Sequence, residues 1–450
     1  MGIDIGTTSV KAVAADADGT VVARARLPHR LITGAGGVFE HDVDQAWRVN
    51  VLDALAQVAS GRRVEAVEVS AMVPSLGAVG AGGGAVGPGL LYGDGRGAHR
   101  DLDPGVAGDG GELLAFLAWH AAATPDACGY WPAQAVANHA LCGRAAIDTT
   151  TAMTAYPLFD MKGWDETLAA EAGAPVAKLP DIVIGNEPAE RVLGELPGAG
   201  SLVGGGTIDA LAEQLVSGAT QAGDVLVLCG TTLITWAVTD RWCEASGLWS
   251  VPHTVPGLSL IGGPSNAGGL FLDQVRRWLG GGPAIDFEAA KAGPGDLPMW
   301  LPYLRGERTP LHRRDLRASL HDLSLHHGPA HLLAAAYEAS GFVVRHHLDL
   351  ATGAVDVEPR RIVALGGGTR SGAWMQALAD CTGLPVDVAA IPDGAALGAA
   401  FLARCTAGLE PDASGASRWA RTSHTVLPRA GWVDAAAGRY QRFRERTALL

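Results

Sequence analysis

The feature that most constrains the fold of this chain is a strand–turn–strand unit that occurs twice. Gly6-Thr7-Thr8 follows a short apolar strand near the start, and Gly230-Thr231-Thr232 follows another near the middle. The two turns are 224 residues apart, almost half of the 450-residue chain. A three-residue motif can recur by chance, so the matching strands on both sides make the repeat significant. The repeat predicts an α/β protein of two domains that share one topology.

Other strands and helices are predicted from the spacing of apolar residues along the chain. Residues 80–89 are rich in glycine and predict a loop. After its first two strands, the second half is expected to be mostly helical up to residue 361. The predicted strands are 2–6, 10–15, 20–27, 64–70, 225–228, 233–238, 361–365 and 385–389. The predicted helices are 44–59 with Asp42 or Asp44 as its N-cap, 113–123, 133–141, 209–218, 330–350, 371–381 and 395–405.

Charge and cysteine content exclude several classes of protein. A net charge of −13 argues against a nucleic-acid or anionic-membrane partner. The six cysteines show no C-x-x-C spacing and lie in apolar stretches, so neither a zinc site nor a disulfide framework is expected. Free thiols and the lack of a visible signal peptide fit a cytoplasmic location. No apolar run is long enough to predict a transmembrane helix.

The two repeated turns carry groups that suit phosphate. Backbone amides and threonine hydroxyls are donors for phosphate oxygens, and glycine lets the backbone approach a ligand closely. Lys11 could add a positive charge to the first turn. Asp4 lies inside an apolar strand, where a carboxylate is costly unless it is paired or binds a metal, and Mg²⁺ is a natural partner beside phosphate. The simpler interpretation of each turn alone is a β-hairpin.

Two further glycine runs precede predicted helices. Gly204-Gly205-Gly206 comes shortly before Asp209, an acid at a helix start, and the simpler interpretation of Asp209 is a helix cap. Gly366-Gly367-Gly368 joins a strand to a helix that starts near Ser371. Such an arrangement accepts nucleotides in many proteins, and the glycine surface could pack against a purine base.

Two charged or histidine-rich segments have ordinary interpretations. Residues 301–310 form a proline-bounded loop, which is expected to be solvated and to hold an internal Glu–Arg pair. His326-His327 and His346-His347 are adjacent pairs whose side chains would diverge on a helix, so neither pair is expected to bind a metal.

Taken in order, these motifs resemble the FGGY carbohydrate kinases, and among them the pentulose kinases. The resemblance covers the stretch 1–12, the second Gly-Thr-Thr turn, Gly306-Glu307-Arg308-Thr309-Pro310, and the segment from Gly366 through 400. It implies two actin-like domains of the ribonuclease H-like fold with the active site in the cleft between them. The implied domains are 1–213, with the sugar site and first phosphate motif, and 214–450, with the second phosphate and adenosine motifs.

The resemblance also implies substrates and residue roles. ATP is the phosphoryl donor, Mg²⁺ assists it, a small sugar accepts the phosphate, and a homodimer is possible. Asp209 falls on the family's catalytic aspartate, and Asp4 and Asp209 on its metal-binding carboxylates. The implied ATP-binding residues are Thr7, Thr8, Ser9, Lys11, Thr231, Thr232, Gly367, Gly368 and Ser371. The implied sugar-binding residues are Met72, Val73, Asp94, Arg96 and Asp209.

The sugar side departs from the xylulokinase pattern. Where that pattern has Gln-Met-His, this chain has Ala71-Met72-Val73, and valine cannot hydrogen-bond a sugar. Asp94 and Arg96 keep the acid and the arginine of the next sugar motif. We expect a ketopentose kinase acting on D-xylulose or a near relative. The alternatives are a kinase for D-ribulose, glycerol or another polyol, and a catalytically weak sensor of nucleotide and metabolite.

Overall fold

The protein forms two compact units. The computed structural model describes residues 1–97, 110–253, 255, 257–281, 289, 293–390 and 393–450. Unit 1 comprises Met1–Val216 and Asp393–Trp419, and unit 2 comprises Ser217–Pro392 and Ala420–Leu450. The predicted division at residues 213 and 214 treats the second half as one continuous piece, whereas the segment from Asp393 to Trp419 packs with unit 1.

The strands fall in the two units as follows. The strands of unit 1 are β1 Gly2–Ile5, β2 Ser9–Ala15, β3 Val21–Pro28, β4 Leu31–Gly34, β5 Val38–His41, β6 Ala66–Ala71, β7 Ser75–Val79, β8 Ala85–Leu91, β9 Gly129–Trp131, β10 Ala146–Asp148, β11 Asp181–Val183, β12 Glu190–Arg191, β13 Leu202–Val203 and β14 Thr207–Ile208. The strands of unit 2 are β15 Asp224–Cys229, β16 Leu233–Thr239, β17 Trp249–Pro252, β18 Ser259–Ser265, β19 Met299–Leu301, β20 Ser319–His321, β21 Arg361–Leu365, β22 Val386–Ala389 and β23 Thr422–Val426.

Each predicted helix is present, and the Asp42 side chain accepts from the Gln45 amide ahead of the first helix. The helices among the described residues are α1 Asn50–Ala59, preceded by a wide turn at Asp44–Val49, α2 Gly110–Ala123, α3 Ala133–Cys142, α4 Thr149–Met153, α5 Glu166–Glu171, α6 Asp209–Leu215, α7 Gly269–Trp278, α8 Pro329–Ala354, α9 Gly372–Thr382, α10 Gly394–Thr406 and α11 Ala430–Thr447. None of these helices is long and apolar enough to cross a bilayer. Helices α4, α5, α7 and α11 were not predicted.

The central sheets of the two units share one topology, which confirms the predicted repeat. In unit 1, β3 and β2 run antiparallel beside β1, and β6 and β13 continue the sheet in parallel with β1. In unit 2, β18 and β16 stand in the same relation to β15, and β21 and β22 continue in parallel. Each Gly-Thr-Thr turn joins the first two strands of its repeat, β1 to β2 and β15 to β16.

The loop predicted at residues 80–89 is confirmed for residues 80–84, whereas residues 85–89 belong to strand β8. The glycines belong to a hairpin, in which β8 pairs with β7 around a short turn. A Cβ atom on Gly89 would lie 2.6 Å from the Trp47 ring, and one on Gly77 would lie 2.9 Å from Val43. The glycines therefore leave room for a buried tryptophan, a long-range requirement that local composition does not reveal.

The prediction that the second half is mostly helical up to residue 361 is also wrong. Strands β17 to β20 lie between residues 249 and 321. The central one, β18, is buried along its whole length and includes Gly262 and Gly263, so it shows no alternation of polar and apolar residues. A Cβ atom on Gly262 would stand 1.9 Å from the Thr235 carbonyl oxygen of the neighbouring strand. Close backbone approach explains why this strand is poor in typical strand-forming residues.

Helix α10 covers the central sheet of unit 1 at unusually short range. A Cβ atom on Gly2 of β1 would lie 1.9 Å from the Ala396 carbonyl oxygen, and one on Gly398 would lie 1.8 Å from that of Ala212 in α6. Small residues thus bring β1, α6 and α10 together. This packing fixes the helix that begins with Asp209.

Candidate active site

The first turn is a tight hairpin between β1 and β2. The Gly6 amide donates to the Ser9 carbonyl oxygen at 3.1 Å. Thr8 is exposed, whereas Ser9 is buried as the first residue of β2. The Thr7 hydroxyl lies 3.0 Å from the Tyr92 hydroxyl, so it is already held by the protein. The turn therefore presents Thr8 and the Thr7 and Thr8 backbone most openly to a ligand.

The second turn is also closed by a bond from its glycine amide, but that bond reaches one residue less far along the chain. The Gly230 amide donates to the Thr232 carbonyl oxygen at 3.0 Å. The amides of Gly269 and Leu270, at the start of α7, donate to the carbonyl oxygens of Gly230 and Thr231 at 2.9 and 3.1 Å. Both turns are therefore closed from their glycine amide, but the second is one residue shorter, and unit 2 braces it with a helix N-terminus.

A buried carboxylate stands behind the first turn. Asp4 is 3% exposed and pairs across the hairpin with Lys11, whose Nζ lies 3.6 Å from Asp4 Oδ2. The Ser70 hydroxyl on β6 lies 3.4 Å from Asp4 Oδ1. Burial raises the pKa of Asp4, although Lys11 and Ser70 oppose the rise. Burial alone would lower the pKa of Lys11, but the charges of nearby carboxylates, Asp4 first, raise it on balance.

Asp209 lies in the same neighbourhood because short strand β14 pairs in parallel with β6, which pairs with β1. Asp209 is the first residue of α6, and Ile208 occupies the N-cap position without a capping side chain. Burial raises the pKa of Asp209 to about 7, and the charge of Asp4 adds to the rise. The result is a carboxyl group that changes protonation near neutral pH, as a general base requires.

Glu213 belongs to this cluster, although no sequence motif singled it out. It lies four residues after Asp209, so the two side chains share one face of α6. Burial raises the pKa of Glu213 to about 8, with Lys11 opposing the rise and the charges of Asp4 and Asp209 adding to it. A partly buried acid four residues after another acid is common on helix surfaces, so the spacing alone does not mark Glu213. Only the fold places Glu213 beside Lys11.

The glycine run before Asp209 is held by three buried polar side chains. Glu68 accepts from the Gly206 amide at 2.6 Å. Asn138 donates to the carbonyl oxygens of Gly204 and Gly205, and Gln134 donates to those of Ala71 and Thr207. Gly206 has φ +89°, and a Cβ atom on Gly204 would lie 1.6 Å from Glu68. The glycines are therefore needed for the bend that delivers Asp209.

The third glycine motif leads into α9. Gly366 has φ +91°, and a Cβ atom on Gly368 would lie 2.1 Å from the Trp374 ring. Gly367 begins the short turn that precedes the helix. Ser371 is the N-cap of α9, since its hydroxyl accepts from the Trp374 amide at 3.3 Å. The motif thus joins β21 to the start of a helix through a short turn, which is the strand–glycine–helix arrangement predicted from the sequence.

Comparison with known proteins agrees with this geometry. Residues 1–81 match the N-terminal domain, and residues 225–407 the C-terminal domain, of the FGGY family of carbohydrate kinases. The xylulose kinase of Streptomyces rubiginosus is 30% identical over 95% of this chain and 92% of its own. The chain belongs to the FGGY family of carbohydrate kinases. It is an ATP-dependent sugar kinase of two actin-like units.

Relatives within the FGGY family differ in their named substrates. The crystal structure of xylulose kinase from Rhodospirillum rubrum matches with a TM-score of 0.81 and 27% identity, covering 100% of this chain and 98% of that one. The gluconokinase of Bacillus subtilis is 26% identical over 89% of this chain and 86% of its own. Membership of the family therefore fixes the reaction class and leaves the acceptor sugar to the residues of this chain.

The Gly-Glu-Arg-Thr-Pro segment of this FGGY kinase is not a solvated loop. Glu307 is 2% exposed and accepts from the Ser265 hydroxyl at 2.7 Å and the Asn266 amide at 2.9 Å. Burial raises the pKa of Glu307 to about 7. Thr309 donates to the Pro264 carbonyl oxygen at 2.8 Å. The expected internal Glu–Arg pair is replaced by bonds that tie the segment to the end of β18.

On the sugar side, the predicted residues differ in how open they are. The Asp94 carboxylate is 1% exposed and accepts from the Phe39 amide and from the amide and guanidinium of Arg96. These donors lower the pKa of Asp94 against the effect of burial. Arg96 also pairs with Glu40. Asp94 thus holds Arg96 in place, and Arg96 keeps more of its surface accessible.

Met72 and Val73 follow β6 directly, next to the residues that pair with β14. Met72 is 3% exposed, and Val73 is half-buried. Val73 lines a small pocket whose other walls are mostly apolar, with Leu76, Leu113 and Tyr130 among them. The position where the xylulokinase pattern has histidine therefore faces an apolar surface in this kinase.

The expectation that His326 and His327 diverge is wrong, because they lie in a turn before α8 and not on a helix. Both imidazoles contact Asp296, His327 with Nε2 at 3.1 Å from Oδ1. The Ser324 amide donates to Nδ1 of His327, so Nε2 carries the proton and donates to the carboxylate. One ligand atom from each of Asp296, His326 and His327 lies within 4.8 Å of the others.

Proposed function

We propose that this kinase transfers the γ-phosphoryl group of MgATP to the terminal hydroxyl of D-xylulose or a closely related ketopentose. The observation that carries the proposal is Asp209, a carboxyl with a pKa of about 7 at the end of a strand that adjoins Asp4 and the first turn. The xylulose kinases among its relatives support the choice of acceptor.

The chemistry assigned to the chain is proton removal and charge stabilisation. Asp209 takes the proton from the sugar hydroxyl as its oxygen forms a bond to the γ-phosphorus. The bond from that phosphorus to the β–γ bridging oxygen breaks, and ADP leaves with the electron pair. Positioning and electrostatic stabilisation are the main contributions a protein makes to phosphoryl transfer, and a base that accepts the hydroxyl proton assists them.

Mg²⁺ fits the acidic cluster, where Asp4 and Asp209 would hold it. The contacts of Asp4 at 3.4 and 3.6 Å are longer than charge-assisted hydrogen bonds, so its oxygens can still accept a cation. The charge of Asp4 raises the pKa of Asp209, and the charges of Asp4 and Asp209 raise that of Glu213, a repulsion that a divalent cation would relieve. When bound, Mg²⁺ neutralises charge on the phosphates, and oxygen ligands are those it prefers.

The remaining contacts with the nucleotide are proposed from the positions of the sequence motifs. Thr7, Thr8, Ser9 and Lys11 would serve phosphate oxygens in unit 1, and Thr231 and Thr232 would do so in unit 2. Gly367, Gly368 and Ser371 would meet the adenosine, with Ser371 acting through its position at the start of α9. A homodimer remains a prediction.

The identity of the acceptor sugar is tested by measuring kinase activity. Purified protein with MgATP is offered D-xylulose, D-ribulose, gluconate, glycerol and other polyols while ADP release is followed. We expect the highest kcat/KM with D-xylulose, and a higher value for another acceptor would reassign the substrate. The absence of turnover with every acceptor, while MgATP still binds, would favour the sensor.

A further inference from the structure

The carbonyl groups of the first Gly-Thr-Thr turn are all engaged by donors. Nε2 of His29 lies 3.0 Å from the Gly6 carbonyl oxygen, and Nε2 of His41 lies 2.8 Å from that of Thr7. The His29 amide donates to the Thr8 carbonyl oxygen at 3.0 Å. The Thr7 and Thr8 amides have no hydrogen-bond partner among the residues that the structure describes. The histidines thus point the carbonyl groups inward and leave amides for an anion.

The protonation state of His41 is set by its neighbour. The indole N–H of Trp47 can only donate, and it donates to Nδ1 of His41 at 3.0 Å. Nε2 must therefore carry the proton in the neutral ring and donates it to the Thr7 carbonyl oxygen. His41 and Trp47 are both fully buried. Burial lowers the pKa of His41 to about 4, so the ring stays neutral at physiological pH.

The second turn shows the same bonding with different donors. Its first two carbonyl groups, on Gly230 and Thr231, accept from the Gly269 and Leu270 amides of α7. A Cβ atom on Gly269 would stand 2.7 Å from the Gly230 oxygen, so this brace needs glycine. The equivalent carbonyl groups of the first turn, on Gly6 and Thr7, accept from imidazoles. Two unrelated sets of donors hold the same two positions of the repeat, which indicates that the restraint is functional.

We propose that His41, oriented by Trp47, and His29 are positioning residues that hold the first turn in its phosphate-binding conformation. The inference rests on the proposed function only in taking the ATP phosphates as the ligand of the turn. Neither histidine touches the phosphate in this arrangement. Their contribution is to keep the Thr7 and Thr8 amides aimed at the ligand before it arrives, which reduces the cost of ordering the turn on binding.

The test compares two conservative substitutions of one residue. Glutamine places an amide N–H close to the position of Nε2, whereas asparagine reaches only the position of Nδ1. His41→Gln should keep the bond to the Thr7 carbonyl oxygen, and His41→Asn should lose it. We expect His41→Asn to raise the Kd of MgATP about tenfold, the equivalent of about 1.4 kcal/mol, while His41→Gln stays within about twofold of the unaltered kinase. Binding is measured by titration calorimetry without sugar.

His120 supplies the matched control. It is also fully buried, and its Nε2 lies 3.1 Å from the Leu76 carbonyl oxygen, away from the turn. His120→Asn should lower the melting temperature and leave the Kd of MgATP unchanged. Equal Kd values for His41→Asn and His41→Gln would overturn the proposal, as would a similar rise in His120→Asn or no measurable binding of MgATP by the unaltered chain. Intact MgATP binding without turnover on any sugar would count against the proposed function alone.

Discussion

Replacing Asp209 with asparagine should remove activity and raise stability together. The side chain keeps its size and loses its charge, so it cannot accept the proton of a sugar hydroxyl. Removal of a general base lowers the rate by about 10²- to 10⁴-fold. The same change removes a buried negative charge beside Asp4, because burial and that charge raise the pKa of Asp209 from 3.8 to about 7.

The size of the stability gain follows from the pKa and depends on pH. The folded protein holds the Asp209 proton more tightly than the unfolded chain, so ionisation destabilises the fold increasingly as pH rises from about 4 to 7. At about 1.36 kcal/mol for each pH unit between those pKa values, the full effect is about 4 kcal/mol above pH 7. At pH 5 it is about 2 kcal/mol by the same relation.

The assay is thermal unfolding at pH 8 and pH 5 without nucleotide or divalent cation, alongside sugar-dependent ADP release. For a unit of this size, about 1 kcal/mol corresponds to roughly 2–4 °C. The melting temperature of Asp209→Asn should therefore exceed that of the unaltered kinase by about 8 °C or more at pH 8. At pH 5 the difference should be about half as large. Asp126→Asn changes an exposed acid and should alter neither property. A lower melting temperature at pH 8, or surviving turnover, would refute the reasoning.

Three further predictions concern pH, acceptor and packing. As the Asp209 carboxylate forms, kcat/KM should rise with pH through about 7, and a profile flat from pH 6 to 8 would contradict a base of that pKa. Val73→His should raise kcat/KM for D-xylulose about tenfold, because the imidazole adds a hydrogen bond to the sugar. Glycerol is the comparison acceptor, and a drop in kcat/KM for D-xylulose alone would show that the apolar wall is needed. Gly398→Ala should lower the melting temperature, because the new Cβ atom would meet the Ala212 carbonyl oxygen at 1.8 Å. Gly438→Ala places its Cβ atom in open space within a helix and should raise the melting temperature slightly. Equal shifts for the two variants would show that α10 can move aside.

Local patterns were enough to predict the elements that lie next to the turns. The strands around both Gly-Thr-Thr motifs and the helices that follow residues 209, 371 and 394 are confirmed, because each is specified by a short apolar run bounded by glycine or a capping residue. The order of the motifs also identified the FGGY family. The roles assigned to individual site residues remain predictions, Asp209 first among them.

The errors share a physical origin in contacts between distant segments. Gly89 of β8 makes room for Trp47, and Glu307 is buried by Ser265 and Asn266, which precede it by about 40 residues. Neither relation changes the local composition that sequence patterns record. The contacts of Asp94 with Phe39 and Arg96 likewise come from the fold.

By itself, the sequence determined the two-fold repeat, the positions of the two Gly-Thr-Thr turns and the aspartate at the helix start, because each depends on residues close together in the chain. Only the tertiary structure decided which groups surround them. It gathered Glu213 and Lys11 around Asp209, returned Gly394–Thr406 to unit 1, and set His29 and His41 against the carbonyl groups of the first turn. Burial and hydrogen-bond partners arise from long-range packing, and these set the protonation states on which the proposed catalysis depends.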